Sequence, residues 1–452
     1  MAKLHVDFSK VHGKVKPMHA ANNGPAVRMR DVQNGTMHPF NSNLNEFKNA
    51  GIPYARTHDS SFYHRFGQEH TVDVYYVFPD FDADPYDPAS YDFACTDHYF
   101  CGCALANTEV FYRLGHRIEH EIKKYGIHPP KDFKKWAVIC EHIIRHYTEG
   151  WADGYQYNIT YWEIWNEPDL HQNDGKISPT WSGTREQFFE LYHVTATHLK
   201  ACFPHLKIGG PALAGDWEWA EDFLTNLKAP LDFFSWHRYD NTVEGVIACI
   251  RRARALLDKY GYHRTESILD EWNYVLGWQG DPIVYSHEQR RKIKGAAYSL
   301  SVMCAAQYEN VDMLMYYDAR PNEFWNGLFD DMVIGRVLKG YYPFPMFNTL
   351  YRLGNCVEAT ADSDAYVCAA KSETEAAVVV THYNDSDSTE PMPIAVELKG
   401  FGTDEGTEVE LFVLDDARDL ESVGKLTYYG NRFAVELTVP NYTCYLLKLR
   451  KK

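Results

Sequence analysis

The sequence predicts an α/β protein: an eight-stranded (β/α) TIM barrel with an accessory antiparallel β-sandwich. From about residue 15 to about residue 350, short apolar runs typical of strands alternate with longer amphipathic segments typical of helices. Eight such runs are present, and eight strands close this kind of barrel. After about residue 355 the pattern changes to short alternating strands separated by polar turns. We therefore expect the barrel at residues 10–350 and the β-sandwich at 351–452, possibly with 1–9.

The individual elements can be placed on the sequence. The predicted barrel strands are residues 13–19, 54–58, 109–114, 161–166, 207–210, 233–237, 267–271 and 313–317. The predicted helices between them are residues 91–107, 130–147, 185–202, 243–260 and 287–308. The predicted strands of the β-sandwich are residues 376–383, 408–414 and 444–449, which 4–8 can join.

Composition excludes several classes of partner. The formal charge is −17 and no long basic stretch is present, which argues against nucleic acid and anionic membranes. No segment reaches the roughly 18 uncharged apolar residues of a membrane span, and the first residues lack the apolar core of a signal peptide. The ten cysteines are scattered and lack Cys-x-x-Cys spacing. We therefore expect a soluble cytoplasmic protein with reduced thiols, in which a homo-oligomer is possible.

The strongest motif is a buried strand that ends in Trp165-Asn166-Glu167-Pro168. The proline stops strand pairing, so Glu167 is expected at the C-terminal mouth of the barrel, where such folds keep their chemistry. Glu163 shares its face, but at about 3.3 Å per residue it lies roughly 13 Å deeper. We expect Glu163 to pair with an inward arginine.

A second acid ends the seventh predicted strand, in the run Asp270-Glu271-Trp272-Asn273. Cleavage of a glycosidic bond needs two carboxyl groups, one that protonates the leaving oxygen and one that attacks or activates water. Glu271 supplies the partner of Glu167. Strict alternation along a strand would turn Asp270 to the opposite face.

Other strand ends offer polar side chains around these acids. Arg56 and His58 share one face, as do His237 and Tyr239. Of these, Arg56 could keep Glu271 ionised by charge pairing, and Tyr239 could do so by donating a hydrogen bond. The first strand offers Asn22 and His19; His19 is a core residue or a site residue with equal weight. None of the histidines at these strand ends (His19, His58 and His237) lies in a His-x-x-x-His motif, so no metal and no cofactor are expected.

These residues resemble the clan A glycoside hydrolases and, within them, family 39, which includes β-xylosidases and α-L-iduronidases. The resemblance covers about residues 10–350 and rests on Trp-Asn-Glu-Pro at 165–168, Asp-Glu-Trp-Asn at 270–273, Arg56 and His237-x-Tyr239. It implies a retaining enzyme with Glu167 as acid/base and Glu271 as nucleophile. The residues expected to bind substrate are Asn22, Arg56, His58, Asn166, His237, Tyr239, Trp272, Tyr317 and Trp325.

One departure from the family pattern concerns the eighth strand, where the clan usually has a tryptophan at the floor of the sugar site. This chain lacks it, and Tyr316, Tyr317 or Trp325 could take the role. The expected activity is exo-acting and β-xylosidase-like, on an oligosaccharide substrate. Alternatives are another sugar (arabinose, galactose or a uronic acid held by Arg320) or a catalytically silent carbohydrate-binding protein. A structural barrel without a ligand would leave the aromatic strand ends unexplained.

Overall fold

The computed structural model describes residues 2–38, 40–60, 71–171, 176, 178–321, 323–362, 364–388 and 390–452. The N-terminal strand β1 (Ala2–Lys14) leads into eight parallel strands that close into a barrel. These are β2 (Ala20–Asn22), β3 (Tyr54–Arg56), β4 (Glu109–Leu114), β5 (Tyr161–Ile164), β6 (Lys207–Leu213), β7 (Phe233–Asp240), β8 (Glu266–Tyr274) and β9 (Met313–Tyr316). The predicted TIM barrel is confirmed.

Helices connect the strands and cover the barrel. They are α1 (Met29–Asn34), α2 (Leu44–Ala50), α3 (Val74–Val77), α4 (Ala94–Ala106), α5 (Phe133–Thr148), α6 (Arg185–Cys202), α7 (Trp217–Asn226), α8 (Val243–Lys259), α9 (Gly280–Arg290), α10 (Ile293–Gln307) and α11 (Pro343–Leu353). Short 3-10 turns lie at Pro88–Ser90 and Lys339–Tyr341. The start of α6 is fixed by a reciprocal capping box between Thr184 and Gln187.

Two predicted elements differ from the structure. The first barrel strand is Ala20–Asn22 rather than 13–19, because residues 13 and 14 still pair with β10 (Asn355–Ala361) as part of β1. The single helix predicted at 287–308 is two helices, because Lys292 adopts an extended backbone (φ −110°, ψ 179°) between them. Gly295 allows this corner, since a Cβ there would lie 2.5 Å from the carbonyl oxygen of Gln289.

The interior of the barrel is layered. An apolar plug comes mostly from early positions of the strands: Ala20, Phe111, Tyr161, Phe233, Ile268, Met313 and Met315. Farther along the strands, the fully buried Arg56, Glu163 and Asp270 form a charged layer above this plug. The plug fills the N-terminal part of the interior, so the open end that the strands offer to a ligand is their C-terminal mouth.

The C-terminal strands form one mixed sheet with β1. The remaining strands are β11 (Ala365–Lys371), β12 (Glu375–His382), β13 (Met392–Lys399), β14 (Thr407–Leu414), β15 (Asp419–Tyr428), β16 (Arg432–Val439) and β17 (Cys444–Lys451). The order is β15-β14-β17-β12-β11-β10-β1-β13-β16. All pairs are antiparallel except β1 with β13. The N-terminal strand β1 pairs antiparallel with β10 and parallel with β13. The division into units at 10–350 and 351–452 stays a prediction.

The sheet packs on the barrel beside α10 and α11. Residues such as Cys368, Val379 and Leu446 on one face belong to the same apolar core as the barrel helices. A buried ion pair adds to this contact, since Lys294 Nζ lies 2.7 Å from Asp385 Oδ1. Among the described residues, no helix has the length and apolar character needed to cross a bilayer.

Candidate active site

Glu167 lies just beyond the C-terminal end of β5, the fourth barrel strand. The backbone turns sharply there, because Trp165 and Glu167 both adopt left-handed conformations with φ of 74° and 47°. The turn is held from both sides: Trp165 N donates to Leu114 O over 2.8 Å, and Glu167 N donates to Ala212 O over 2.8 Å. This turn brings the Glu167 side chain to the mouth of the barrel.

Glu271 lies in β8, the seventh barrel strand, at a β-bulge. Trp236 pairs with Leu269, whereas the next residue, His237, pairs with Glu271. Asp270 is therefore the extra residue on β8, and the alternation of side chains breaks there. Asp270 and Glu271 both turn inward, so the expectation that Asp270 faces away is wrong.

The two glutamates face one another at this mouth. One carboxylate oxygen of Glu167 and one of Glu271 lie within 4.8 Å, together with a ring nitrogen of His237. The side chains of Glu167 and Glu271 are 11% and 3% exposed. Two largely buried acids thus approach one point at the mouth of the barrel.

Arg56 is the fully buried centre of the charged layer. Its Nε donates to Glu163 Oε2 over 2.7 Å and lies 3.1 Å from Asp270 Oδ2. Its Nη1 donates to Glu271 Oε1 over 2.9 Å, and its Nη2 donates to Asn166 Oδ1 over 2.7 Å. The predicted pairing of Glu163 with an inward arginine is present, and the same guanidinium orients the Glu271 carboxylate.

Surrounding groups keep Glu271 charged. Tyr239 Oη donates to Glu271 Oε2 over 2.8 Å, and His58 Nε2 lies 2.9 Å from Oε1. Burial opposes ionisation, but the positive charges of His237, His58 and Arg56 outweigh it and hold the pKa of Glu271 below its usual range. An ionised, oriented carboxylate is suited to nucleophilic attack.

His237 connects the acids. Its Nδ1 lies 2.7 Å from Glu167 Oε1, and its Nε2 lies 3.5 Å from both Asp270 Oδ1 and Glu271 Oε1. Burial disfavours the charged ring, yet the negative charges of Glu271 and Asp270 hold the pKa of His237 well above its usual range. Glu163 shows the opposite balance: burial, reinforced by the charge of Asp270 and opposed by Arg56, raises its pKa to about 8.

Aromatic rings form one wall of the mouth. Tyr317 packs edge-on to His58 at 4.7 Å, and the ring centroid of Trp325 lies 5.0 Å from Tyr239. Trp278, in the loop after β8, lies 5.3 Å from Tyr239 and 5.8 Å from Trp325. Trp278 was missed from the sequence, although an aromatic between Gly277 and Gly280 just after the strand that carries Glu271 is a usable signal.

Two predicted aromatic residues lie away from the mouth. Tyr316 contacts Trp272 at 5.7 Å and Phe344 at 5.6 Å, so its ring faces the helices that surround the barrel. Trp272 is fully buried and contacts Tyr298 of α10 at 6.2 Å. The prediction that Trp272 binds substrate therefore needs correction: past the bulge, Glu271 faces inward and the next side chain faces outward.

The polar side chains of the first barrel strand and its approach contact other protein groups rather than the open mouth. Asn22 Nδ2 donates to Asp270 O over 2.7 Å, and its Oδ1 accepts from Arg56 Nη1 over 3.0 Å, so both of its polar ends are engaged below the mouth. His19 is fully buried against Phe347 and Tyr351, and burial lowers its pKa to about 3. Of the two alternatives for His19, a core residue or a site residue, the structure therefore favours the core residue.

Arg320 lies at the rim with its charge already matched. Its Nη2 lies 2.7 Å from Glu323 Oε1 and 3.6 Å from Asp59 Oδ2. Asp318 adds a third acid, whose pKa burial raises well above its usual range despite the opposing charge of Arg320. This corner holds more acids than cations.

Two groups of potential metal ligands occur in the described part of the chain. One is Glu167, His237 and Glu271 of this mouth; the other is Glu141, His198 and Cys202 on α5 and α6. In the second group Arg145 Nε donates to Glu141 Oε1 over 2.8 Å, and His198 Nε2 lies 2.6 Å from Glu141 Oε2, so both carboxylate oxygens have protein partners.

A closed (β/α) barrel with two facing carboxylates at the C-terminal ends of its strands is the arrangement that retaining and inverting glycosidase barrels use. Within that class, residues 115–264 match the family described as glycosyl hydrolases family 39, and the resemblance seen in the sequence is confirmed. The matched segment contains Glu167 and His237 but ends before Glu271.

Similar proteins agree with this match. The chain is 36% identical over 120 residues to a beta-xylosidase of Geobacillus stearothermophilus, which covers 26% of this chain and 22% of that protein. It is 34% identical over 119 residues to a beta-xylosidase of Caldicellulosiruptor saccharolyticus, covering 26% and 23%. The aligned part thus spans less than a quarter of each of these relatives.

Solved structures extend the likeness over the whole chain. A glucosidase from Croceicoccus marinus superposes with a TM-score of 0.79 at 22% identity and covers 100% of this chain and 99% of its own. A monomeric beta-xylosidase from Caulobacter crescentus CB15 superposes with a TM-score of 0.72 at 17% identity and covers 99% of each chain. At these identities the likeness shows the shared fold.

Proposed function

We propose that this protein is a retaining, exo-acting glycoside hydrolase that removes one neutral terminal sugar, with a β-xylosidase-like activity. The observation that carries the proposal is the approach of Glu167 and Glu271 to within 4.8 Å. Retaining enzymes hold their carboxyl groups about 5 to 5.5 Å apart, whereas inverting enzymes need about 6.5 to 9.5 Å to fit a water. The observed spacing suits double displacement.

In the first displacement, Glu167 protonates the glycosidic oxygen while Glu271 attacks the anomeric carbon. The bond to the leaving group breaks as the bond to Glu271 Oε forms, and the leaving group departs as a neutral alcohol. In the second displacement, Glu167 accepts a proton from water, and the water oxygen replaces Glu271 at the same carbon. Two inversions give net retention.

Neighbouring side chains support these roles. Arg56 and Tyr239 each bond one oxygen of Glu271 and so fix its direction. Asn166 is nearly fully buried: its Oδ1 accepts from Arg56, while its Nδ2 has no hydrogen-bond partner among the described residues. A buried unpaired donor beside the two acids can bond the 2-hydroxyl of the sugar, where such a bond strengthens in the transition state.

The surroundings favour a neutral sugar at a chain end. A uronate would need an unmatched cation, and Arg320 is already paired with Glu323 and Asp59, next to Asp318. The small exposure of both catalytic glutamates fits entry of a chain end better than the middle of a polymer. The relatives named beta-xylosidase make a β-xyloside the first substrate to test.

Turnover of a panel of nitrophenyl glycosides tests this function. We expect hydrolysis of the β-xyloside, with arabinoside and galactoside as the neutral alternatives and the uronide as the least favoured. Proton NMR of the first-formed sugar should show the anomer of the substrate. Tight binding of a sugar without any turnover would instead support a carbohydrate-binding protein, and the inverted anomer would contradict the assignment of Glu271 as nucleophile.

We also propose that the protein acts in the reducing cytoplasm. All ten of its cysteines are free in the structure, six of them buried. Mass spectrometry of the native protein under non-reducing conditions should find every thiol unpaired, and a native disulfide would contradict this proposal.

A further inference from the structure

We propose that Trp278 is the platform on which the leaving group of the substrate stacks, and that the cavity beside it takes a ring-shaped leaving group, either a second sugar or an aryl group. This inference rests on the proposed function, because only a glycosidase reaction has a leaving group. It goes further by assigning a binding surface outside the two-carboxylate centre and the chemistry of what occupies it.

The first observation is the exposure of a large aromatic side chain. Trp278 is 60% exposed, whereas seven of the eleven tryptophans are buried, among them Trp162, Trp219 and Trp236. Two neighbouring rings fix the orientation of the Trp278 ring. Its plane makes an angle of 76° with that of Tyr239, whose centroid is 5.3 Å away, and the centroid of Trp325 is 5.8 Å away. An indole fixed at the rim with a face in water offers a flat surface on which a ring can stack.

The second observation is a cavity of about 530 Å³ that Trp278 helps to line. Its lining residues are Asp169, Leu170, His171, Ala214, Gly215, Asp216, Trp217, His237, Arg238, Tyr239, Cys249 and Trp278. The volume is within the range that holds a small ligand.

The position of the cavity relative to the acids identifies which part of the substrate it holds. It begins at Asp169, two residues after Glu167, and includes His237, whose Nδ1 contacts Glu167. The leaving oxygen must reach Glu167 to be protonated, so the group attached to that oxygen extends towards this side. The sugar that is cleaved off lies instead against Glu271 and Asn166.

Aromatic and apolar side chains form much of the cavity wall. Trp217, Trp278, Tyr239 and Leu170 supply rings and apolar surface. The Asp169 carboxylate is used internally, because it accepts from the backbone N–H groups of residues 214, 215 and 216 at 2.8 to 3.1 Å.

The charge of Arg238 is also matched, by an ion pair with Asp240. A ring that stacks on Trp278 thus suits this cavity better than a charged leaving group.

The test compares substrates that share a sugar and differ in the leaving group. A nitrophenyl glycoside and a disaccharide each place the ring of their leaving group in the cavity. The glycosyl fluoride of the same sugar has fluoride as its leaving group, which has no ring to stack there. For Trp278→Ala we expect kcat/KM to fall about tenfold on the two ring-bearing substrates, which is about 1.4 kcal/mol, and to stay within about twofold on the fluoride. Trp278→Phe keeps a ring and should recover most of the loss.

Transfer to added acceptors separates the two possible kinds of ring. The glycosyl-enzyme formed from the fluoride can pass its sugar to a sugar or to an aryl alcohol that binds in the same cavity. Trp278→Ala should lower the yield of transfer relative to hydrolysis, and the acceptor with the larger loss identifies which ring the platform serves. The control is Tyr429→Ala, which removes an aromatic side chain that is 66% exposed in the turn between β15 and β16 and should change none of these values.

Three outcomes decide the matter. If Trp278→Ala lowers kcat/KM equally on the fluoride and on the ring-bearing substrates, the proposal is overturned, because Trp278 would then act on the cleaved sugar or through Tyr239. Unchanged kinetics on every substrate would also overturn it. Failure of the unmodified protein to hydrolyse either glycosides or fluorides would instead refute the proposed function, and this inference with it.

Discussion

The Tyr239 hydroxyl donates a 2.8 Å hydrogen bond to Oε2 of Glu271, while Arg56 and His58 contact the other oxygen, Oε1. The two oxygens thus have different partners, and together the partners stabilise the ionised carboxylate. Tyr239 also touches Trp278 and Trp325. One side chain therefore joins the aromatic wall to the nucleophile.

Tyr239→Phe removes that bond while keeping the ring. Because a hydrogen bond to the charged form lowers a carboxylate pKa, its loss should raise the pKa of Glu271. Glu271 must be ionised to attack, so the acidic limb of the pH profile of kcat/KM should move to higher pH. At the optimum, kcat/KM should fall about 10- to 100-fold.

A matched control for this change exists in the mixed sheet. Tyr366 Oη donates to Glu244 Oε1 over 2.7 Å, a tyrosine–glutamate bond of the same kind outside the active site. Tyr366→Phe should leave both the rate and the acidic limb unchanged. If the pH profile of kcat/KM for Tyr239→Phe superimposes on that of the wild-type protein, the proposed role of the Tyr239–Glu271 hydrogen bond is contradicted.

Alanine substitution of each glutamate should separate their roles. Glu271→Ala should lose about 10⁴-fold or more of turnover with every leaving group, because no other group forms the glycosyl-enzyme. Glu167→Ala should keep its first displacement on activated aryl glycosides, which leave without protonation, and stall at the second. Azide should restore this variant and give a glycosyl azide of retained configuration.

NMR of the azide product distinguishes the two assignments. A glycosyl azide of retained configuration from the Glu271 variant, rather than from the Glu167 variant, would mean that the roles are reversed.

Arg56→Met should destabilise the fold as well as the site. Arg56 is fully buried and contacts Glu163, Asp270 and Glu271, so its removal leaves buried acids without their cation. The free energy of unfolding, measured with urea at neutral pH, should fall by about 3–5 kcal/mol. The control Arg251→Met removes an exposed arginine paired with Glu309 and should change the free energy of unfolding little. Equal stability of the two variants would contradict the role of the charged layer.

Much of this arrangement could be predicted from the sequence, because hydrophobic periodicity determines which strand ends lie at the mouth of a barrel. The runs that end near Glu167 and Glu271 identified the facing acids, and face parity identified Arg56 with His58 and Glu163 as the deeper acid. The alternation of side chains along a strand predicts their direction only where the strand pairs regularly with its neighbours.

The two wrong predictions about side-chain direction in β8, for Asp270 and Trp272, share a physical cause. The bulge at Asp270 adds a residue to β8, and single-strand alternation cannot reveal it because a bulge depends on the pairing with β7. The same limit applies to Trp272: an aromatic in a motif at a strand end looks like a ligand contact until the partner strands fix its face. Trp278 lies in a loop, where periodicity gives no information about direction.

The stability of the protein should depend on pH through Glu163, whose pKa burial raises to about 8 from a usual value of 4.5. The folded state holds this proton more tightly than the unfolded state, so stability should fall as the pH rises through this range. Glu163→Gln fixes an uncharged side chain of the same shape. Relative to this variant, the wild-type protein should lose free energy of unfolding between about pH 5 and pH 8. A difference that stays constant with pH would show that Glu163 is ionised in the folded protein.

Asn166→Ala should reveal which substrate group the buried amide contacts. Asn166 Nδ2 is unpaired among the described residues, while Oδ1 is held by Arg56, so the amide is oriented with a donor left over. If that donor bonds the 2-hydroxyl, a bond that tightens in the oxocarbenium-like transition state contributes several kcal/mol, and kcat/KM on a nitrophenyl glycoside should fall about 100-fold or more. The corresponding 2-deoxy glycoside has no hydroxyl to lose contact with, and its kcat/KM should change by about threefold or less. This pair of substrates is a double-mutant cycle with one change on the enzyme and one on the sugar, so damage to folding or to Arg56 would lower both rates alike. An equal loss on both substrates would assign Asn166 to the support of Arg56 and Glu271 and leave the 2-hydroxyl to another group.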